Sequence, residues 1–498
     1  MSAPAPVIVE PTVLVIFGAS GDLTSRKLMP ALADLEKQGF LDNRFAVVGV
    51  ARTEMSDEDF RDRMATAVSD AAGPWRDRTS HFRYVQGEYG DPALFARLRT
   101  VLADVDEGFG IPSGTGNRLF YFSAPPSTFP LLVQGLTASG LNHPGSPTSY
   151  ARIIVEKPFG RDGASAKTLD ETIHAGFDES QVFRIDHYLG KETVQNLLAL
   201  RFSNTIFEPL WNRTYVDYLE VTVAESIGVG HRGGFYEEAG AMRDIVQNHV
   251  MQVLSLILME PPVRIDATSI RDEKVKALQA IKTFNVSQVV RQVVRGQYTS
   301  GVVDGAPAVG YRGEEGVSPT STTETFIAMR LACENWRWAG VPIFVRTGKC
   351  MPKRITEVTA HFREAPLQPF AEAMGSRHEP NSLTVRIQPM PGISLRFGAK
   401  VPGQSFRVRT AHMDFDYDDQ FPEEDLDGYE RLLLDAMLGD ATLFIRCDEV
   451  RTAWEIVDPI LQGFAAEDVP VSMYPAGSWG PPEADVLMDL EGHRWRTP

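Results

Sequence analysis

The chain has 498 residues, 43% of them hydrophobic, 23% charged and 9% aromatic. That is the composition of a globular protein too long for one average core, so two domains are expected. A formal net charge of −17 argues against a nucleic-acid or anionic-membrane partner, yet leaves room for a local basic pocket that takes an anionic substrate. Cys333, Cys350 and Cys447 are scattered and odd in number. They make neither a disulfide framework nor a zinc spacing, which suits a reducing cytoplasm without a bound metal. Met1–Pro6 lacks the basic start and apolar run of a signal peptide, and no stretch of about 18 apolar residues is present to span a membrane.

Thr12–Phe17 is a short, continuous apolar run rich in β-branched residues, the pattern of a strand buried on both faces. It leads into Gly18-Ala19-Ser20-Gly21-Asp22-Leu23 and then a helical pattern through Leu28, Leu32 and Leu35 that stops at Gly39. Strand, glycine turn and helix are the context in which backbone N–H groups hold a pyrophosphate. Gly18 permits the tight turn and Gly21 a close backbone approach, but the full G-x-G-x-x-G pattern is absent, and a plain strand-to-helix turn is the alternative. Phe45–Ala51 reads as the second strand. An NAD-binding fold usually ends this strand in an acid for the adenosine ribose. Here Ala51-Arg52-Thr53 follow, with no acid before Glu54. A guanidinium at this point suits a 2′-phosphate, so NADP is expected with NAD as the weaker alternative; a plain surface arginine is the competing reading.

Ser56-Asp57-Glu58-Asp59 opens a helix with a variant capping box. Strand-like runs at Phe82–Val85, Arg118–Ser123 and Arg152–Glu156 alternate with helical stretches at Pro92–Asp104 and Phe129–Gly140. This alternation predicts an α/β Rossmann domain, doubly wound on a mostly parallel sheet, over residues 1–186. The turn Ser123-Ala124-Pro125-Pro126 and the run Glu156-Lys157-Pro158-Phe159-Gly160 both follow strands, at the carboxyl edge where cofactors bind. Lys157 is expected to face that crevice, with Pro158 fixing the turn, a cis bond being one way to do so; a snorkelling strand-end lysine is the alternative.

Arg184-Ile185-Asp186-His187-Tyr188-Leu189-Gly190-Lys191-Glu192 packs an acid, a histidine and a lysine between apolar neighbours. Asp186 ends the run Val182–Ile185, at a domain junction. If the following segment is helical, His187 and Lys191 share a face. Two cations so placed repel unless a dianion such as a sugar phosphate lies between them. A solvated turn of mixed charge is the bland reading of the same residues.

Residues 187–498 are expected to form a larger α+β domain with a mostly antiparallel sheet. Asn204–Arg213 is a loop studded with aromatic residues, and Tyr218–Glu225 alternates as an antiparallel strand with Glu225 at its end. A helix is predicted from Glu237 to Met259, stopped by Pro261-Pro262. At 100° per residue, Asp244, Gln247, Asn248, Gln252 and Ser255 fall in one polar stripe, with His249 about 60° beyond its edge on the apolar shoulder. A buried histidine there is either a satisfied core residue or, beside a carboxylate, a general base. Glu324–Leu331, Ile343–Arg346 and Leu383–Ile387 read as further strands. Lys349 and Arg354 follow one of them and could close an anion pocket. Asp414 to Asp427 has no metal-loop spacing and reads as solvated surface.

Together, the glycine turn with Arg26-Lys27-Leu28, Glu156–Gly160, Arg184–Glu192, Phe207–Arg213, Arg243–His249, Arg346–Lys349 and Tyr429–Met437 resemble the glucose 6-phosphate dehydrogenases, in that family's order and over nearly the whole chain. The Asp-His-Tyr-Leu-Gly-Lys-Glu stretch is the most specific of these; the glycine turn is not. The resemblance implies a cytoplasmic enzyme of the pentose phosphate pathway that oxidises glucose 6-phosphate at C1 to the 1,5-lactone and reduces NADP⁺. It implies His249 as the base and Asp186 as the acid that orients it. It assigns Lys157, His187, Tyr188, Lys191, Glu225, Asp244, Lys349 and Arg354 to the substrate. It assigns Gly18, Ala19, Ser20, Gly21, Asp22, Leu23, Lys27, Arg52, Glu88, Tyr89 and Lys157 to the cofactor. A homodimer or homotetramer is expected. Enzymes of the glucose-fructose oxidoreductase type share a Rossmann domain with a Glu-Lys-Pro turn but place the catalytic Asp and His on one helix, whereas Asp186 and His249 come from separate segments. A silent relative would be expected to lack His249, Asp186 or Lys191, and all are present.

Overall fold

The computed structural model describes residues 7–68, 74–367, 380–403, 407–421, 428–466 and 469–498. Met1–Pro6 and the later part of the acidic stretch, residues 422–427, lie outside the described residues. The chain divides into two compact units. The first comprises Met1–Gly190, Arg264–Arg271 and Leu426–Arg451, and the second the remaining segments, Lys191–Val263, Asp272–Asp425 and Thr452–Pro498.

The first unit is built on a six-stranded parallel sheet in the order β3-β2-β1-β4-β5-β6. Its strands are β1 (Thr12–Phe17), β2 (Ala46–Ala51), β3 (Arg83–Gln86), β4 (Asn117–Phe122), β5 (Ala151–Val155) and β6 (Val182–Arg184). Every residue of β1, β2 and β4 is buried, as continuous apolar strands covered on both faces must be. Helices Met29–Lys37, Pro92–Gly108, Phe129–Ala138 and Gly163–His174 lie among the connections. The first ends near Gly39, whose φ of 77° is the left-handed conformation of a helix C-terminus. Ser56 and Asp59 form the expected capping box. The strand order reverses between β1 and β4, and at such a switch point an open α/β sheet leaves a crevice beyond its carboxyl ends.

One segment of this unit comes from far along the chain. Helix Gly428–Leu438 is held by Arg152, whose Nη1 donates to the carbonyls of Ala436 at 2.8 Å and Met437 at 2.7 Å. These are helix-end carbonyls that have no partner within the helix. Ile445 then forms an antiparallel bridge with Arg184 on the β6 edge.

The second unit carries a nine-stranded sheet in the order β16-β15-β14-β13-β7-β12-β11-β8-β17. Its strands are β7 (Val216–Ala224), β8 (Val293–Thr299), β11 (Phe326–Ala332), β12 (Pro342–Gly348), β13 (Ile355–Phe362), β14 (Ser382–Gln388), β15 (Gly392–Lys400), β16 (Val408–Asp416) and β17 (Val471–Pro475), with β9 (Gly301–Val303) and β10 (Ala306–Ala308) forming a separate hairpin. Neighbours are antiparallel except β7 with β12 and β8 with β17. The expected mostly antiparallel sheet is therefore present, but Tyr218–Glu225 is antiparallel to only one of its neighbours. Asp414 to Asp416 belong to β16, and Asp416 pairs with Arg386.

The helix expected from Glu237 to Met259 differs in start and winding. It begins at Gly233, breaks at Gly240, winds as a π-helix over Met242–Val250 and continues as an α-helix over Met251–Leu258. The 100° bookkeeping therefore fails across the part that carries Asp244 and His249. Of the polar stripe, Gln247, Asn248, Gln252 and Ser255 are buried against protein and Asp244 is half-buried, with His249 buried beside them. No helix among the described residues is long and apolar enough to cross a membrane.

Candidate active site

At the carboxyl end of β1 the chain turns at Gly18, with φ of 86°. A Cβ there would lie 2.4 Å from the Ser123 carbonyl oxygen, in the turn that follows β4. Only glycine lets the two strand ends lie backbone to backbone at the switch point, and this leaves a side-chain-free cradle of the kind a pyrophosphate needs. The Gly18 N–H donates to Val50 O at 2.8 Å, and the Gly21 N–H to Gly18 O at 2.8 Å. Ala19 is buried, Ser20, Gly21 and Leu23 are half-buried, and Asp22 and Lys27 are exposed. Asp22 meets Arg26 at 2.9 Å, an exposed ion pair that contributes little stability.

Arg52 follows β2 directly and is exposed. A second cation that sequence reasoning missed stands at the same turn: Arg63 Nη2 donates to Ser20 O at 2.6 Å, while Thr53 Oγ1 donates to Ser20 Oγ at 3.0 Å. No local pattern distinguishes Arg63 from an ordinary helix-surface arginine. Glu88 is exposed, whereas Tyr89 is buried edge-on against Phe17 at 5.9 Å, and burial raises its phenol above the usual range.

Past β5, Glu156 is half-buried and accepts hydrogen bonds from Tyr121 Oη at 2.5 Å and Tyr429 Oη at 3.3 Å. Burial pushes the Glu156 carboxyl up, while the Tyr121 hydroxyl, the charge of Lys157 and the Tyr429 hydroxyl pull it down. Lys157 is half-buried, and its bond to Pro158 is cis. Neither tyrosine was singled out from sequence, since Tyr121 lies within a buried strand and Tyr429 arrives from a distant segment.

Arg184 closes β6 with Nη1 donating to Glu179 at 2.7 Å and Nη2 to Asp170 at 2.8 Å. Asp186 is 1% exposed; its Oδ1 accepts the Tyr188 N–H at 2.9 Å and its carbonyl the Leu189 N–H at 3.0 Å. This is a turn of the kind an aspartate forms with its own backbone, and the helical condition on which His187 and Lys191 would share a face is not met here. His187 and Lys191 therefore share no helical face; the helix starts only at Glu192, with Lys191 at its cap. His187 is half-buried and lies edge-on to Tyr188 at 5.1 Å. A Cβ at Gly190 would lie 2.5 Å from Gly428 O, so the turn rests directly on the start of helix Gly428–Leu438.

Lys191 belongs to the second unit, and its Nζ bonds Gln388 Oε1 at the end of β14. Arg354 Nη2 donates to the same oxygen at 3.2 Å, while Gln388 Nε2 donates to Thr356 Oγ1 at 3.0 Å. Two cations thus converge on one neutral amide oxygen whose orientation the threonine fixes. Gln388 has no sequence signal of its own.

Glu225 and Lys349 follow the parallel pair β7 and β12, with Lys349 Nζ 2.6 Å from Glu225 Oε2 and 5.1 Å from the Tyr236 ring centroid. Tyr236 is 1% exposed, and burial followed by the charges of Asp244 and Glu225 drives its hydroxyl well above the usual range. Glu225 and the Tyr236 ring thus both meet the Lys349 ammonium. Asp244 and His249 stand five residues apart. An α-helix would set them about 140° apart, but i→i+5 winding brings such residues to roughly one face. His249 itself is 1% exposed.

The geometry thus comprises a glycine cradle with basic neighbours, a convergent cation pair, and a buried histidine with an acid on its helical face. Residues 15–196 match the model of the glucose-6-phosphate dehydrogenase NAD binding domain, and residues 198–496 that of the glucose-6-phosphate dehydrogenase C-terminal domain. The chain is 49% identical to glucose-6-phosphate 1-dehydrogenase of Aggregatibacter actinomycetemcomitans over 97% of both chains, and 44% identical to glucose-6-phosphate 1-dehydrogenase 2 of Mycobacterium bovis over 99% of this chain and 96% of that one. Among solved structures, a glucose-6-phosphate dehydrogenase in complex with its substrate glucose-6-phosphate superposes with a TM-score of 0.89 at 34% identity, covering 99% of this chain and 100% of that one. The Mycobacterium avium enzyme superposes with a TM-score of 0.83 at 35% identity, covering 98% and 99%. The resemblance read from the motifs holds over both halves: the chain belongs to the glucose-6-phosphate dehydrogenase family.

Proposed function

We propose that this chain oxidises D-glucose 6-phosphate at C1 to 6-phospho-D-glucono-1,5-lactone with NADP⁺ as oxidant, the first step of the oxidative pentose phosphate pathway. The observation that carries this reading is the convergence of Lys191 and Arg354 on Gln388 Oε1, which concentrates positive charge where a phosphate dianion would be held by charge-assisted hydrogen bonds. His187 and Tyr188 complete the phosphate contacts in this proposal. Glu225, Asp244 and Lys349 bind the sugar or close the site, and Lys157 touches both ligands.

His249 takes the proton of the C1 hydroxyl, and Asp186 is the acid that orients the imidazole and stabilises its protonated form. A desolvated histidine with a carboxylate partner is poised for such a transfer near neutral pH. The cradle at Gly18–Leu23, with Lys27, would hold the dinucleotide pyrophosphate, Arg52 its 2′-phosphate, and Glu88 and Tyr89 would stand beside it. When bound, the nicotinamide accepts the hydride that leaves C1. Arg52 supports NADP⁺ over NAD⁺ because a guanidinium pairs with a phosphate through charge-assisted bonds far stronger than any it makes to a neutral ribose hydroxyl.

A cytoplasmic homodimer or homotetramer belongs to the same proposal. The oligomer alone is supported by the decline in burial from β13, mostly buried, to β15 and β16, mostly half-buried or exposed.

Glucose 6-phosphate deuterated at C1 tests the chemistry. The reading predicts deuterium in the reduced nicotinamide and a 6-phosphogluconate product after lactone hydrolysis. Reduced cofactor without deuterium would overturn it.

A further inference from the structure

The dipeptide Glu324-Thr325, which leads into β11, touches two parts of the proposed sugar-binding machinery within the second unit. Glu324 is 5% exposed. Its Oε1 accepts the Met242 N–H at 3.1 Å, and its carbonyl accepts the Ala241 N–H at 2.9 Å. These donors belong to the start of the helical run that carries Asp244 and His249, where N–H groups have no partner within the helix. Ala241, at the cap, offers no side-chain acceptor.

Gly240, the preceding residue, has φ of 64° and ψ of 174°, a conformation essentially confined to glycine. A Cβ there would lie 2.3 Å from Glu324 Oε1, so the carboxylate occupies the room that the glycine leaves. Burial disfavours the charged form of Glu324, whereas backbone N–H donors and then the charges of Arg243 and Arg295 favour it. A carboxylate is also well matched to the positive end of a helix.

One residue on, the Thr325 carbonyl accepts the Lys349 N–H at 3.0 Å. Tyr474 Oη donates to the Lys349 carbonyl at 2.7 Å and lies 3.2 Å from Thr325 Oγ1. Glu324 thus fixes where the His249 helix begins, while Thr325 holds the Lys349 N–H and Tyr474 the Lys349 carbonyl.

We infer that Glu324 is a positioning residue for oxidation of the sugar phosphate: by anchoring the helix start at Gly240, it sets the placement of Asp244 and His249. The inference rests on the proposed role of His249. It is tested by steady-state kinetics of Glu324→Gln, Glu324→Asp and Glu324→Ala with glucose 6-phosphate, alongside thermal unfolding and the pH profile of kcat. Gln keeps the acceptor, and its kcat and KM stay within about threefold of wild type, whereas Asp withdraws the acceptor by one methylene, lowers kcat about 10²-fold and raises KM, as expected when the base and a sugar-binding acid are misplaced together. The pH profile of kcat shifts in Asp but not in Gln.

Should Ala fail to fold, Asp against Gln carries the comparison. Three variants with wild-type kcat and pH profile overturn the inference. So does a loss that only follows the folded fraction, or an Asp variant that does not fold. Wild-type protein that leaves glucose 6-phosphate unoxidised would instead bring down the proposed function, whereas active wild type with inactive His249→Asn and unaffected Glu324→Asp sinks this inference alone.

Discussion

Lys349 Nζ lies 2.6 Å from Glu225 Oε2, with the lysine side chain 1% exposed and the glutamate 28% exposed. The two residues follow strands that run parallel side by side, so the β7–β12 register itself sets their pairing. The buried ammonium depends on that carboxylate, since removing one partner leaves a charge poorly compensated. Glu225→Ala is expected to lower the unfolding free energy by about 1–3 kcal/mol and to raise KM for glucose 6-phosphate. Adding Lys349→Met should restore part of the stability without restoring KM. Chemical denaturation of the single and double variants checks this, and a double variant less stable than Glu225→Ala contradicts it.

On the proposed role of His249 as the base, His249→Asn removes an interaction made in the transition state and leaves ground-state contacts largely in place. A general base contributes about 10²–10⁴-fold, so kcat should fall by that order while the dissociation constant of glucose 6-phosphate, read by calorimetry, stays nearly constant. Lost binding with retained turnover would assign His249 to holding the phosphate instead.

Arg52→Ala bears on the cofactor. A hydrogen bond to a charged group contributes about 1.5–3 kcal/mol, so kcat/KM for NADP⁺ should fall about 10- to 100-fold, while that for NAD⁺ changes little. Parallel assays with both cofactors decide the matter, and equal losses would remove the 2′-phosphate role. A residual NADP⁺ preference in the variant would point to Arg63, which sits at the same turn through Ser20.

Glu156 sets a pH dependence whose sign follows from its environment. Burial holds its carboxyl above the ordinary value of 4.5 in the folded chain. Between that value and the folded one, the folded state keeps a proton that the unfolded state has released. Stability therefore falls as pH rises through that window and levels off above it. Glu156→Gln should flatten this slope in denaturant unfolding measured across acidic to neutral pH. An unchanged slope would show that the carboxyl titrates as it does in water.

What the sequence disclosed and withheld has physical causes. The strands β1, β2 and β4 were legible because burial on both faces demands unbroken apolar runs, and Gly39 and the Ser56 capping box mark helix ends by local chemistry alone. The return of Gly428–Leu438 to the first unit was not legible, because periodicity says which face is apolar but not which distant element covers it. The contacts that hold this helix, Arg152 on its last carbonyls and Gly190 against Gly428, are single residues without a pattern. The π winding at Met242–Val250 was not legible either, since the local sequence suits an ordinary helix and the Gly240 kink before it is held by a tertiary contact with Glu324. Of the site, residues with unusual chemistry in tight clusters, such as Asp186 to Lys191, could be singled out. Gln388 and Tyr236, which carry no local pattern, could not.

The most direct test is the absorbance of reduced nicotinamide when the purified chain meets glucose 6-phosphate with NADP⁺ or NAD⁺, and unphosphorylated glucose in parallel. Rapid reduction with glucose 6-phosphate and NADP⁺, slower with NAD⁺ and absent with glucose, is the predicted result. No reduction by folded protein with either cofactor, or equal rates with glucose and its phosphate, would contradict the proposed reaction and the phosphate role of Lys191 and Arg354.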